Sequence, residues 1–103
     1  MDIEKLQKAI KMGNYEWRKH TLVRLAERSI SQDVVLRVIL EGEVIEDYPN
    51  DKPFPSCLIF KMIERGPYHV VVSFNPEFKK AYIITAYQPT LDKFEPDFKT
   101  RRR

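Results

Sequence analysis

Apolar residues recur at helical spacing in the first part of the chain. Ile3, Leu6 and Ile10, for example, lie three or four residues apart and therefore share one helix face. Ser31 is a typical helix N-cap, and Gly42 is typical of a helix end. The pattern predicts short helices over residues 2–12, 20–28 and 31–42, with residues 14–19 as a connector between the first two.

Beyond Gly42 the spacing changes from helical to alternating, which indicates strands. Prolines at 49, 53 and 55 exclude a helix or a central strand over residues 49–55, so this segment is predicted to be a loop between the first two strands. Four strands are predicted, over residues 43–48, 56–64, 68–74 and 80–87, with short turns at 65–67 and 75–79. Consecutive strands joined by short turns form antiparallel sheets, so the expected fold is α+β: N-terminal helices followed by a four-stranded antiparallel sheet.

The remaining ends of the chain are assigned by composition. Residues 1–19 are expected to form an N-terminal helix and connector, and residues 20–103 a single α+β domain with a basic C-terminal tail. Within residues 90–103, Phe94 and Phe98 stand among charged residues. Residues 90–103 are therefore expected either to cover a sheet edge or to stay mobile.

Composition fits one small globular domain. The 103 residues are 43% hydrophobic and 32% charged, which is too apolar for a disordered chain and enough for a single core. Lysine and arginine number 18 against 15 acidic residues, and the C-terminal arginines 101–103 account for the whole excess of +3. Net charge alone therefore predicts no strong attraction to nucleic acid.

The single cysteine and the lack of long apolar runs indicate the compartment. Cys57 cannot form an internal disulfide or a cysteine-based zinc site, and its apolar neighbours predict a small buried side chain. No apolar run is long enough for a membrane span or for the core of a secretory signal. We therefore expect a cytoplasmic protein.

The second predicted helix has a polar stripe of unusual composition. His20, Arg24, Glu27 and Arg28 share one face, opposite the apolar residues of the helix. Arginine gives several directed contacts to phosphate oxygens, and histidine titrates near neutral pH, so this stripe could bind a phosphate and move a proton. The alternative is a solvated face with helix-spaced ion pairs.

A second polar cluster is predicted in the sheet. His69 alternates with apolar residues in its strand, and Thr85 and Tyr87 share one face of the next strand. If the three lie on one side, His69 has hydroxyl groups beside it and is a reasonable general acid or base. The alternative is a hydrogen-bonded structural histidine.

Other kinds of site are not indicated. Two histidines among scattered acids have no metal-ligand spacing, and the few glycines form no phosphate-binding loop, so we expect neither a metal nor a cofactor. The tail 99–103 could attract phosphates or an acidic partner, or could simply be a solubilising end.

Several motifs, in order, resemble the bacterial and archaeal family of domain of unknown function 4258. They are HTLVRLAERSIS at 20–31, GEVIEDYP at 42–49, PFPSCL at 53–58, YHVVV at 68–72, IITAYQP at 83–89 and FKTR at 98–101. The family commonly has glycine where Ser29 stands and glutamate where Gln88 stands; neither difference removes a group with useful chemistry.

The resemblance implies a compact relative of RelE-like and ParE-like toxins, from a family often encoded beside small zinc-ribbon antitoxin-like proteins. It implies no transferable catalytic set, because RelE-like toxins cleave RNA with varied residues. It does imply that one group of residues falls on the family's recurring polar positions: His20, Arg24, Arg28, His69, Thr85 and Tyr87.

The leading hypothesis from the sequence is a toxin-like, metal-independent endoribonuclease acting on RNA or the ribosome. His69 and His20 would exchange protons, Arg24 and Arg28 would stabilise phosphate charge, Tyr87 would stack on a base or orient the phosphate, and Thr85 would support His69. This requires the helix and strand clusters to meet in one cleft. The alternatives are a non-catalytic regulatory module that docks on an acidic protein through its basic helix face, and a ParE-like gyrase inhibitor.

Overall fold

Helices come first along the chain and the main strands follow, in a computed structural model that describes residues 1–64 and 66–103. The helices are α1 (Ile3–Lys11), α2 (Lys19–Glu27) and α3 (Gln32–Glu41). The strands are β1 (Tyr15–Trp17), β2 (Glu43–Tyr48), β3 (Ser56–Ile63), β4 (Gly66–Asn75) and β5 (Lys80–Tyr87). The prediction of an α+β fold is confirmed.

The sheet differs from the predicted one in strand number and in type. Its order is β1-β5-β4-β3-β2, and β1 runs parallel to β5 while all other neighbours are antiparallel. The expected four-stranded antiparallel sheet is therefore corrected to a five-stranded mixed sheet. The extra strand lies in the predicted connector, where Tyr15 pairs with Ala81 and Trp17 with Ile83. A three-residue strand has no periodicity of its own, and pairing with a distant strand determines its conformation.

Local capping explains where α1 and α3 begin. The Asp2 carboxylate accepts a hydrogen bond from the Lys5 amide at 3.2 Å, and the Ser31 hydroxyl accepts one from the Val34 amide at 3.1 Å. Each bond satisfies an amide that has no partner within its helix. The N-cap predicted at Ser31 is confirmed.

The end of α2 has the hydrogen-bond pattern of a Schellman motif. The Ile30 amide donates to the Leu25 carbonyl at 3.0 Å, and the Ser29 amide donates to the Ala26 carbonyl at 3.2 Å. Ser29 has a φ of 55°, in the left-handed region where glycine is favoured. Leu25 and Ile30 are both buried, as is usual for the apolar contact of this motif. The motif turns the chain sharply just after Arg28.

The main core lies between the helices and one face of the sheet. It combines apolar residues of α1 and α3, Leu25 of α2, and alternate residues of the central strands. Leu6, Val35, Val38, Ile39, Cys57, Ile59, Val72 and Ile83 have essentially no solvent exposure. Cys57 is buried as predicted, and this burial raises the pKa of its thiol to about 12.

Part of the opposite face of the sheet, around His69, is covered by the segment of residues 90–103, called here the C-terminal segment. Phe94 is 2% exposed, and its ring centroid lies 4.6 Å from that of His69. Lys99 and Arg101 form ion pairs with Glu43 and Glu46 of β2, at 2.7 Å in both cases. The segment therefore covers a sheet face, and the expectation that it covers an edge is corrected: Phe94 buries more apolar surface against a face than an edge offers.

The start of β4 differs from the sequence prediction. Gly66 and Pro67, expected in a turn, begin β4, while Arg65 lies outside the described residues. Within the described ranges, none of the helices has the length and apolar character needed to cross a membrane.

Candidate functional site

Helix α2 is attached to β5 where β1 stops. The pairing of β1 with β5 ends at Trp17 and Ile83. Just beyond, the buried hydroxyl of Thr21 donates to the carbonyls of Ile83 and Ile84, at 3.2 and 2.8 Å. Because β1 stops at this point of β5, the Thr21 hydroxyl of α2 supplies a donor to the β5 carbonyls where no further strand pairs with this edge.

Arg28, the C-cap of α2, makes the second attachment to β5. Its Nη1 donates to the Ala86 carbonyl at 2.8 Å and to the Thr85 hydroxyl at 3.3 Å. Both acceptors are neutral, so neither hydrogen bond compensates the positive charge of the guanidinium. The next residue of β5 is Tyr87, which lines the same cleft as Arg28.

His69 of β4 is fixed by hydrogen bonds at both ring nitrogens. The Phe98 carbonyl lies 2.6 Å from Nε2 and can only accept, so Nε2 carries the proton. Nδ1 of the neutral ring then accepts from the Tyr87 hydroxyl at 3.2 Å. His69 has no solvent exposure, and burial lowers its pKa despite opposing effects from the Phe98 bond and Glu46. The ring is therefore neutral at physiological pH.

A cleft of about 420 Å³, called here the basic cleft, opens between the end of β5 and the C-terminal segment. Its lining residues are Arg28, Tyr87, Gln88, Pro89, Thr90, Lys93, Phe94 and Arg101. Three of them are cations and none is a carboxylate. Within the described residues, neither Arg28 nor Lys93 forms an ion pair. Two cations that form no ion pair and line one concave surface are suited to an anion.

The third cation, Arg101, is held by β2. It makes a two-pronged contact with the Glu46 carboxylate at 2.7 and 3.1 Å, and the Tyr48 hydroxyl donates to the same carboxylate. Burial alone raises the pKa of Glu46, but the bonds from Arg101 and Tyr48 outweigh it and leave that pKa below its ordinary value. Glu46 thus compensates Arg101, which fastens the C-terminal segment and closes one side of the basic cleft.

The structure brings only part of the predicted polar residues together. Arg28 and Tyr87 line the basic cleft, Thr85 accepts a hydrogen bond from Arg28, and His69 is bonded to Tyr87 and has no solvent exposure. Arg24 is exposed and pairs with Glu27 at 3.4 Å, the helix-spaced ion pair given above as the alternative.

His20 is exposed in the first turn of α2. It precedes Arg28 by eight helical positions, which amounts to about 12 Å along the helix axis. His20 is not among the described residues that line the basic cleft with Arg28 and Tyr87, so the proton-transfer role assigned to it stays a prediction.

The sequence patterns did not point to the cleft residues of the C-terminal segment. Lys93 and Thr90 enter the site because Phe94 anchors the segment on the sheet, a contact with a residue far away in the chain. The available signal was an aromatic residue in a charged stretch, next to Lys93. Such a residue is a typical anchor point, and its charged neighbour is then held at the surface nearby.

Comparison with known proteins gives a match to a family model. A family model described as domain of unknown function (DUF4258) matches residues 17–88, which contain α2 and β5 with Arg28, His69, Thr85 and Tyr87. Lys93 and Arg101 lie beyond the matched range. No curated protein and no solved structure matches the chain.

Proposed function

The chain belongs to the DUF4258 family, and we propose that it is an RNA-directed, toxin-like domain that binds the phosphodiester backbone in its basic cleft. The observation that carries this proposal is that Arg28 and Lys93, neither of which forms an ion pair within the described residues, line one concave site with the Tyr87 phenol. Arginine and lysine beside an aromatic ring suit single-stranded RNA, since phosphates contact the cations and a base can stack on the ring. RNA or the ribosome is thus the proposed partner, with an antitoxin-like protein as the proposed regulator.

Binding is tested by fluorescence anisotropy with a labelled single-stranded RNA at several salt concentrations. Lys93→Gln is expected to weaken binding several-fold and to reduce the salt dependence by about one released counterion. Lys11→Gln, an exposed lysine at the end of α1, is the matched control and is expected to change neither. Equal binding by the Lys93 and Lys11 variants would count against the basic cleft as the RNA site.

The Tyr87–His69 hydrogen bond favours a second proposal, the metal-independent endoribonuclease. Because the Tyr87 proton points to His69, the phenol oxygen can accept a proton from a ribose 2′-hydroxyl while passing its own to Nδ1. The 2′-oxygen then attacks phosphorus, the bond to the 5′-oxygen breaks, and that oxygen takes a proton from solvent in the open cleft. The products are a 2′,3′-cyclic phosphate and a 5′-hydroxyl, and Arg28 stabilises the charge on the phosphate.

Tyr87→Phe tests this step, because it removes the hydroxyl and keeps the ring. Purified protein is incubated with mixed RNA and with ribosomes, and 2′,3′-cyclic ends are measured. We expect cleavage to fall by about 10²-fold or more in this variant, and RNA binding to persist. Tyr15→Phe on β1 is the control. Unchanged cleavage in Tyr87→Phe would eliminate the relay.

If the unmodified protein does not cleave RNA, the proposal that it binds RNA remains, together with two alternatives without nuclease activity. A regulatory module that docks through Arg24 and Arg28 is expected to bind an acidic protein and not RNA. A gyrase inhibitor of the ParE-like kind predicts altered plasmid topology. The three outcomes are distinguished by the RNA anisotropy and a plasmid supercoiling assay.

A further inference from the structure

A second concave surface lies at the other end of the molecule's core, between the end of α1 and the turn that joins β4 to β5. This groove, called here the lysine groove, has a volume of about 480 Å³ and an apolar floor formed by Ala9 and Phe74. Its rim consists of Lys5, Lys8, Met12, Asn14, Phe78 and Lys79. It shares no lining residue with the basic cleft, and its features are independent of the proposed function.

Two large apolar side chains stand exposed on this rim. Met12 is 73% exposed and Phe78 is 68% exposed, the highest values among the large hydrophobic residues of the described chain. Single exposed apolar residues are common, but two that border one groove with an apolar floor form a patch. An exposed apolar patch beside a groove is a candidate surface for binding another molecule.

The turn that carries Phe78 is rigidly held. The Asn14 side chain donates to the carbonyls of Phe78 and Lys79 at 3.1 and 2.6 Å. From the other side, the Asn75 side chain accepts from the amides of Glu77 and Phe78 at 3.0 and 3.3 Å. The exposed ring is thus presented by a fixed backbone, so little conformational entropy is lost when a partner covers it.

The charge on the rim has one sign. Lys5, Lys8 and Lys79 line the groove together with no carboxylate, and in the described part of the chain none of them forms an ion pair. Glu77 precedes Phe78 in sequence but does not line the groove. Lysines on flexible stems around an apolar floor are complementary to a surface with carboxylates around an apolar side chain.

We propose that the lysine groove docks an acidic amphipathic segment of a partner protein. An aliphatic or aromatic side chain of that segment inserts between Met12 and Phe78 onto the floor, and flanking carboxylates pair with the rim lysines. A protein segment is favoured over nucleic acid because the rim has no arginine, the residue whose planar fork matches phosphate, and the floor is aliphatic and aromatic carbon.

A defined probe tests the proposal. The probe is a fluorescein-labelled synthetic peptide of about 18 residues with leucine at helical spacing and glutamate at the other positions. We expect binding that Phe78→Ala weakens about tenfold, since a buried aromatic anchor carries much of such an interface. Lys8→Glu is expected to weaken it by a similar factor. A peptide with lysine in place of glutamate, and one with alanine in place of leucine, are expected not to bind.

Matched variants separate docking from general charge attraction. Lys11→Glu makes the same charge change on the same helix outside the groove, and Met62→Ala removes another exposed apolar side chain, from β3. Both are expected to bind the glutamate peptide like the unmodified protein. Circular dichroism checks that each variant is folded.

Results of three kinds would overturn the proposal. The first is equal loss of affinity in Lys8→Glu and Lys11→Glu, or unchanged affinity in Phe78→Ala. The second is binding of a single-stranded RNA that Phe78→Ala weakens, which would make the groove a nucleic-acid surface. The third is a dimer in sedimentation experiments that Phe78→Ala dissociates, because the occupant would then be a second copy of the chain.

Discussion

Ser29 occupies a backbone conformation that costs other residues more than glycine. Its φ of 55° closes the Schellman motif that ends α2 and sets the direction of Arg28. Replacement by glycine removes the contact between Cβ and the neighbouring carbonyl that makes this region unfavourable. We expect Ser29→Gly to raise the free energy of unfolding by about 1 kcal/mol in urea denaturation. Ser29→Ala keeps a Cβ and should give no comparable gain; a glycine variant less stable than the serine protein would contradict this account.

His69 gives the protein a stability that depends on pH. Burial lowers its pKa in the folded state, so the unfolded chain binds a proton at a higher pH than the folded one does. Its contribution is therefore complete above the ordinary histidine pKa, near about 6.5, and is lost as pH falls from there toward the folded-state value. The free energy of unfolding therefore decreases on acidification, because the folded protein prefers the neutral form of His69.

His69→Gln tests this contribution with urea denaturation between about pH 7.5 and 5. We expect the variant to be less stable at the upper pH by about 1–3 kcal/mol, because it loses ring packing and well-placed hydrogen bonds. Its stability should also fall less on acidification than that of the unmodified protein. His20→Gln, at an exposed position, serves as control and should retain the full acid sensitivity.

At the scale of elements, the docking of α2 on β5 depends on one buried hydroxyl. Thr21 donates to the carbonyls of Ile83 and Ile84, and valine in its place would leave both acceptors without this donor. We expect Thr21→Val to cost about 1–3 kcal/mol of unfolding free energy and to loosen the placement of Arg28. Thr21→Ser retains the hydroxyl and should cost less. Hydrogen exchange of the β5 amides reports whether the edge opens.

Elements with their own periodicity could be predicted from the sequence, and those that depend on distant partners could not. The three helices and the strands β2 to β5 were found within a few residues, because Ile3, Leu6 and Ile10, or the alternation around His69, reveal the buried face. β1 was missed because its strand state comes from pairing with β5. The predicted site divides in the same way: Arg28, Thr85 and Tyr87 meet, whereas Lys93 depends on where the C-terminal segment packs.

At the scale of the whole molecule, the sheet has two differently covered faces. The helices bury one face in the main core, while the C-terminal segment covers part of the other through Phe94. The basic cleft forms where this segment meets the end of β5, with Arg28 contributed by α2. A site composed of both layers exists only while the segment is docked, so the stability of the fold and the shape of the cleft are linked.

Phe94→Ala and Phe78→Ala form a matched pair for this link. Phe94 is 2% exposed, and we expect its truncation to cost about 3–5 kcal/mol of unfolding free energy, as for other buried aromatic residues. Phe78 is 68% exposed, so the same substitution there should cost little. The Phe94 variant also loses the anchor that holds Lys93 at the cleft. Its RNA affinity should therefore fall under conditions where circular dichroism shows it folded, while the Phe78 variant binds RNA normally. Unchanged RNA binding in a folded Phe94 variant would mean that the segment is not part of the RNA site, and the proposed cleft would reduce to Arg28 and Tyr87.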